Sequence, residues 1–281
     1  MSAFGAADEV WHGGPMNRRR YGATAVSACA VLLTACGSGA AGVSPPRTSA
    51  APTPVTSASP VSAPVGAGRV IVLDPGHNGG NATHPAAINR LVPDGRGGMK
   101  ACNTTGTAAL DGYPEHAFNW DVAVRVRNTL SAKGFTVVMT RPDDAGVGPC
   151  VDERAAIGNR GDAVAVVSIH ADGAPGANSH GFHVAYSAPP RNPAQGEPSI
   201  RLATTLRDGF RAAGFTPSTY VGAQGLNPRD DLSGLNLSER PTALVECGNM
   251  HHPGDAAALE SPDGRARIAT VIANAIVGYV G

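Results

Sequence analysis

The chain lacks any excess charge of one sign: its 281 residues carry 22 Lys and Arg against 22 Asp and Glu. That balance, with no run that interleaves basic and aromatic residues, excludes nucleic acid as the default partner. Aromatic residues are few, at 5%. No repeat period is visible. The one early apolar stretch, Gly22 to Leu33, is too short to span a bilayer as a mature helix. Cysteines number only five. Glycine and proline are plentiful, at 36 and 23, but they concentrate partly in the N-terminal part of the chain.

That region has its own logic. Arg18, Arg19 and Arg20 precede the apolar run, and Leu33-Thr34-Ala35-Cys36 closes it with small residues. A basic segment, a short apolar segment and small residues before a cut make a secretory signal. Leu-Thr-Ala-Cys also resembles a bacterial lipobox, which implies acylation of Cys36 and a lipid anchor; an ordinary cleaved signal is the alternative. Residues 1–15 fit no export logic, so Met16 is the expected true start. Residues 37–68 hold almost no charge and no aromatic residue, and such a segment cannot bury enough apolar surface to offset its ordering entropy. Its prolines make it a semi-extended linker. The folded domain is then 69–281, and its expected class is α/β: a single domain with a mixed, mostly parallel twisted sheet flanked by helices on both faces.

The stretch Val70-Ile71-Val72-Leu73 reads as a buried strand that Pro75-Gly76 stops, delivering His77 at the strand's carboxyl end. Open α/β sheets place their sites there. The segment from Asn78 to Pro114 is too long for a simple connection and reads as a functional lid or hairpin. Within it lies Cys102. In an oxidising compartment a disulfide to Cys150 is the economical pairing, with a zinc or free-thiol role as the alternative. A helix opens at Pro114-Glu115 and runs to about Lys133, with Phe118, Val122, Val126 and Leu130 along one face. Glu115 in its first turn reads as a cap or as a rigid metal ligand.

A strand over 135–140 and a short helix over 152–159, with Arg154 on it, lead to Ala163-Val164-Ala165-Val166-Val167-Ser168-Ile169-His170, a second apolar strand that ends in histidine. A strand over 181–186 follows. His180 and His183 point to opposite faces there and read as structural or exposed. A helix covers 198–213. Residues 225–232 read as polar loop, in which Arg229 could pair with a substrate carboxylate or sit in an exposed salt bridge. The last strand, 241–249, carries Glu246, a carboxylate that a buried strand tolerates only with compensation. A closing helix spans 263–279.

His77, Glu115, His170 and Glu246 thus come from four separate elements. Two imidazoles and one carboxylate are a hydrolytic zinc set with a fourth position open to water, which the metal acidifies; a spare carboxylate shuttles the proton. Which glutamate is ligand and which is base is open on these grounds. Asp74-Pro75-Gly76-His77, the Glu115 helix with Asn119, Ser168-Ile169-His170-Ala171 and Leu244-Val245-Glu246 resemble, in order, the motifs of zinc-dependent N-acetylmuramoyl-L-alanine amidases of type 3. The resemblance covers about 69–281. It implies one Zn2+ on His77, Glu115 and His170, Glu246 as the catalytic carboxylate, and peptidoglycan as substrate. Two departures stand beside it: the Cys102 segment is unlike the blocking helix of some members, and no separate wall-binding domain or repeat is visible in the sequence. An activating protein is not identified. The expected place is outside the cytoplasmic membrane. A zinc peptidase acting on the stem peptide and a non-catalytic wall-binding lipoprotein are the alternatives.

Overall fold

The computed structural model describes residues 64–281. The expected signal segment, Cys36 and most of the linker lie outside the described residues. In chain order the elements are β1 (Val70–Pro75), α1 (Pro85–Ile88), β2 (Leu91–Pro93), β3 (Met99–Ala101), α2 (Glu115–Ala132), β4 (Thr136–Met139), α3 (Val151–Arg160) and β5 (Ala165–Asp172). They continue with β6 (His183–Ser187), α4 (Glu197–Ala212), β7 (Leu226–Arg229), α5 (Ser233–Asn236), β8 (Thr242–Asn249), α6 (Pro253–Glu260) and α7 (Pro262–Val280).

Six strands form one sheet in the order β4-β1-β5-β8-β6-β7. Every pair is parallel except β6 with β8. Alternation along the strands divides the side chains between two faces. Ile71, Leu73, Val167, Ile169, Ala243 and Val245 are fully buried in the main core with residues of α2, α4 and α7. On α2, Phe118, Val122, Val126 and Leu130 are fully buried at the expected helical spacing. The other face carries Asp74, Ser168, His170, Glu246 and His183 by register, and α3, the short α5 and residues 100–104 lie over part of it. The fold is the expected mixed α/β sheet, with the two faces covered unequally.

Some segments add to the sequence reading or differ from it. Residues 226–229 form β7, not loop: it pairs with β6 alone at the sheet edge, where Pro228 needs no second ladder partner. The long segment after β1 contains the antiparallel hairpin of β2 and β3, the second of the two readings given for it. A further helix, α6, lies between the last strand and the closing helix, and Pro at its first position starts the helix rather than breaking it. At the entry to the domain, Gly66 donates to the Lys133 carbonyl at 3.1 Å and lies so close to Phe135 that a Cβ would meet its backbone nitrogen at 2.3 Å.

Candidate metal centre

The turn after β1 is fixed by buried cations. Arg141 has no exposed surface and donates through Nε to the Pro75 carbonyl at 2.9 Å and through Nη2 to the His116 carbonyl at 2.9 Å. Arg154 donates to the Pro75 carbonyl at 2.7 Å, the His77 carbonyl at 2.8 Å and the Asp74 carboxylate at 2.8 Å. Thr140 and Ser168 donate hydroxyls to the same carboxylate at 2.6 and 2.7 Å. Burial alone would push Asp74 up, but the Arg154 charge and these hydrogen bonds outweigh it and hold the carboxyl at about 2. Burial in turn lowers the Arg141 guanidinium to about 10, against the raising effect of Asp144.

These contacts hold His77 at a φ of 59°, the left-handed region that few residues other than glycine occupy. The ring is set by a second contact, Nδ1 to the Thr104 carbonyl at 3.0 Å, which leaves Nε2 facing inward. A histidine whose outer nitrogen meets a backbone carbonyl is oriented as metal-ligating histidines are. Gly76 is required beside it, because a Cβ there would sit 2.1 Å from the His170 ring.

Glu115, at the first turn of α2, is buried and fully engaged. Its Oε2 accepts from the Thr107 N–H at 3.0 Å, and its Oε1 accepts from the Ala171 N–H and Asn119 Nδ2, both at 3.2 Å. His77 Nε2 lies 3.1 Å from Oε2 and His170 Nδ1 lies 2.9 Å from Oε1. The three donor atoms all fall within 4.8 Å of one another, and this is the group of the described residues able to hold a metal ion. Ligands about 2.0–2.1 Å from a shared tetrahedral ion stand about 3.3 Å apart, so the trio fits a small dication. Burial would raise the Glu115 carboxyl, but His77 and His170 hold it well below the usual range. Burial disfavours the His77 cation, and Glu115 reverses this and raises its pKa.

Glu246 lies beside His170 in the β5–β8 register, on the same face, and its Oε2 is buried without a partner. Burial first, then the charges of Glu115 and Asp172, push its carboxyl well up, while Arg229 pulls it down. The structure therefore brings together the four residues singled out from the sequence.

A scan against family models matches residues 71–277 to the Amidase_3 family, described as N-acetylmuramoyl-L-alanine amidase. The chain belongs to this amidase family. It is 46% identical over 231 residues to the N-acetylmuramoyl-L-alanine amidase Rv3717 of Mycobacterium tuberculosis, covering 82% of this chain and 94% of that protein. Among solved structures, the N-acetylmuramyl-L-alanine amidase Ami1 of Mycobacterium smegmatis is 52% identical with a TM-score of 0.74, covering 77% of this chain and 98% of its own. Ami1 of Mycobacterium abscessus, in its apo form, is 53% identical with a TM-score of 0.74, covering 76% and 100%.

Around the centre of this amidase, Cys102 and Cys150 are joined as a disulfide, which ties the end of β3 to the start of α3. Arg229 is held by Asp231 in a two-pronged pair at 2.7 and 2.6 Å. His183 and His180 part company. His183 is buried directly across the β6–β8 pair from Glu246, and burial lowers its pKa to about 4, while His180 lies beside His252 with ring centroids 4.9 Å apart. The residues that sequence reasoning missed are the supports: Arg141, Thr104 and Thr107, and the Tyr220 hydroxyl that donates to Asp172 at 2.9 Å. No local pattern marks them, because each acts across a gap of chain that the sequence does not show to be closed.

Proposed function

We propose that His77, Glu115 and His170 hold one zinc ion, and that Glu246 is the catalytic carboxylate for cleavage of the amide between N-acetylmuramic acid and L-alanine in peptidoglycan. The observation that carries this reading is the convergence of the three donor atoms within 4.8 Å beside a carboxylate, Glu246, whose Oε2 is buried without a partner. Bound there, zinc supplies polarisation of the scissile carbonyl and a water acidic enough to attack near neutral pH.

The chain's own residues do the rest. Glu246 takes a proton from the attacking water and gives it to the departing amine of L-alanine, while a C–O bond forms and the C–N bond breaks. Thr104, through the His77 ring, and Asn119, through the Glu115 carboxylate, fix the orientation of the two ligands. Arg229 shares the sheet face of Glu246 and keeps about a third of its side chain exposed, so it is assigned to a carboxylate of the stem peptide. Residues 1–36 are assigned to export and Cys36 to a lipid anchor, with 37–68 as the spacer to the catalytic domain at 69–281. This places the enzyme in the cell-wall space at the outer face of the cytoplasmic membrane.

Mass spectrometry of wall fragments after incubation with zinc-loaded and chelated protein tests the reaction. A free lactyl carboxylate on muramic acid, formed only with metal, is the expected product. A shortened stem peptide would instead identify a peptidase. Labelled fatty acid should track the chain and be lost in Cys36→Ser.

A further inference from the structure

The Cys102–Cys150 bond joins the two segments that hold the metal-site residues in place. Cys102 opens the stretch whose Thr104 carbonyl meets His77 Nδ1 at 3.0 Å and whose Thr107 N–H donates to Glu115 Oε2 at 3.0 Å. Cys150 is the N-cap residue of α3, and Arg154 on that helix donates to the carbonyls of Pro75 and His77. The apolar contact at the bond is a small cluster of Val92, Cys102 and Cys150, with Val151 against it, separate from the main core. The Val151 N–H adds a hydrogen bond to the Cys102 carbonyl at 2.8 Å. A region with so little buried apolar surface opens locally at low cost.

The two sulfurs have different surroundings. Arg90, an exposed residue, donates through Nη2 to Cys150 Sγ at 2.9 Å, whereas among the described residues no side chain donates to Cys102 Sγ. Cys150 also sits at the positive end of the α3 dipole. Of the acidic residues in that first turn, Glu153 is paired with Arg160 at 2.7 Å, and Asp152 opposes the effect. A neighbouring guanidinium and a helix amino end both stabilise a thiolate, so Cys150 is the better leaving group of the pair.

We propose that the Cys102–Cys150 bond is a thiol–disulfide exchange site, and that its opening by an external dithiol frees the supports of His77 and Glu115 and weakens the hold on the metal. The attacking thiolate bonds to Cys102 Sγ, the bond between the two cysteine sulfurs breaks, and the electron pair leaves on Cys150 Sγ, where Arg90 faces the charge. The second thiolate of the reductant then attacks its own attached sulfur and expels Cys102. The dithiol gives up two electrons and two protons and ends as a disulfide, while the protein ends with two thiols. The effect on the metal rests on His77, Glu115 and His170 holding zinc.

The full chain, metal-free and without denaturant, is exposed to a dithiol near neutral pH, and alkylation with peptide mass analysis follows Cys102 and Cys150. Both become alkylatable faster than the protein unfolds globally, the unfolding rate being measured separately in urea. Arg90→Met slows this at least about threefold and Arg90→Lys restores part of it, with the melting temperatures of the oxidised forms unchanged. A short pulse of the monothiol glutathione leaves its adduct on Cys102 and Cys150 alkylatable. Zinc titration against a fluorescent chelator, after the dithiol is removed, shows affinity at least about tenfold weaker in the reduced protein and restored on reoxidation. A Cys102→Ser and Cys150→Ser pair, which has no thiols to bind zinc there, matches the reduced form. Reduction no faster than global unfolding, a rate that Arg90→Met leaves unchanged, or equal zinc affinity in the two states overturns the switch. If the oxidised protein itself takes up no zinc, the metal reading of the site falls and the switch falls with it.

Discussion

Replacing Arg154 by Met puts the largest strain on the reasoning about the metal centre. The substitution removes a buried guanidinium, 4% exposed, that serves the Asp74 carboxylate and the carbonyls of Pro75, His77 and Pro149. The lowering of Asp74 from 3.8 to about 2 corresponds to roughly 2 kcal/mol, an upper bound on the Arg154 share because Thr140 and Ser168 contribute. The His77 and Pro149 carbonyls lose these donors, at about 1 kcal/mol each. The sum, about 3–4 kcal/mol, agrees with the cost of breaking a buried ion pair on one side. Urea denaturation at pH 7 measures it.

The pH dependence fixes the cause. Asp74 is depressed in the folded state, so its contribution is complete above its ordinary pKa of 3.8 and lost as pH falls through about 2. The difference between wild type and Arg154→Met should therefore shrink by up to roughly 2 kcal/mol between pH 5 and pH 2. Because the His77 carbonyl is released, zinc affinity should fall as well, by about ten- to a hundredfold. A stability loss below about 1 kcal/mol at pH 7, or one that does not change with pH, would refute the account of the buried arginine.

Glu246→Ala should retain zinc by metal analysis yet lose hydrolysis by about 10²–10⁴-fold, whereas His77→Ala should lose the metal itself; a fully active Glu246→Ala removes the assigned base. Gly76→Ala drives a methyl toward the His170 ring, which a Cβ would approach to 2.1 Å, so it should lower stability by about 1–3 kcal/mol and weaken zinc binding, both read by melting with and without chelator. Breaking the Cys102–Cys150 bond, which spans 48 residues, by a Cys102→Ala and Cys150→Ala pair should cost about 2–4 kcal/mol in denaturant.

His77 was legible because it follows an apolar run that Pro75-Gly76 stops, His170 because it closes a second apolar run, although β5 continues to Asp172, and Glu246 because it is a carboxylate in a strand otherwise fit for burial. Glu115 was not decided by its own position: a glutamate in a helix's first turn serves the helix dipole equally well. What stayed hidden depends on distances along the chain that only folding closes. The left-handed turn at His77 needs Arg154, and nothing near residue 154 announces the carbonyls it serves. His183 opposite Glu246 follows from antiparallel pairing of β6 with β8, while every other pair in the sheet is parallel. Pro228 disguised an edge strand as loop, since a residue without an N–H is tolerated only where one side of the strand is unpaired.

The placement of His170 against Glu246, neighbours across β5 and β8, has a bearing on when this amidase can first act. Strand β8 comes near the end of the chain, and contacts between segments so distant in sequence form late and slowly. Until that last strand docks, the carboxylate has no metal beside it. The carboxylate assigned as base thus joins the candidate metal centre only through completion of the central sheet.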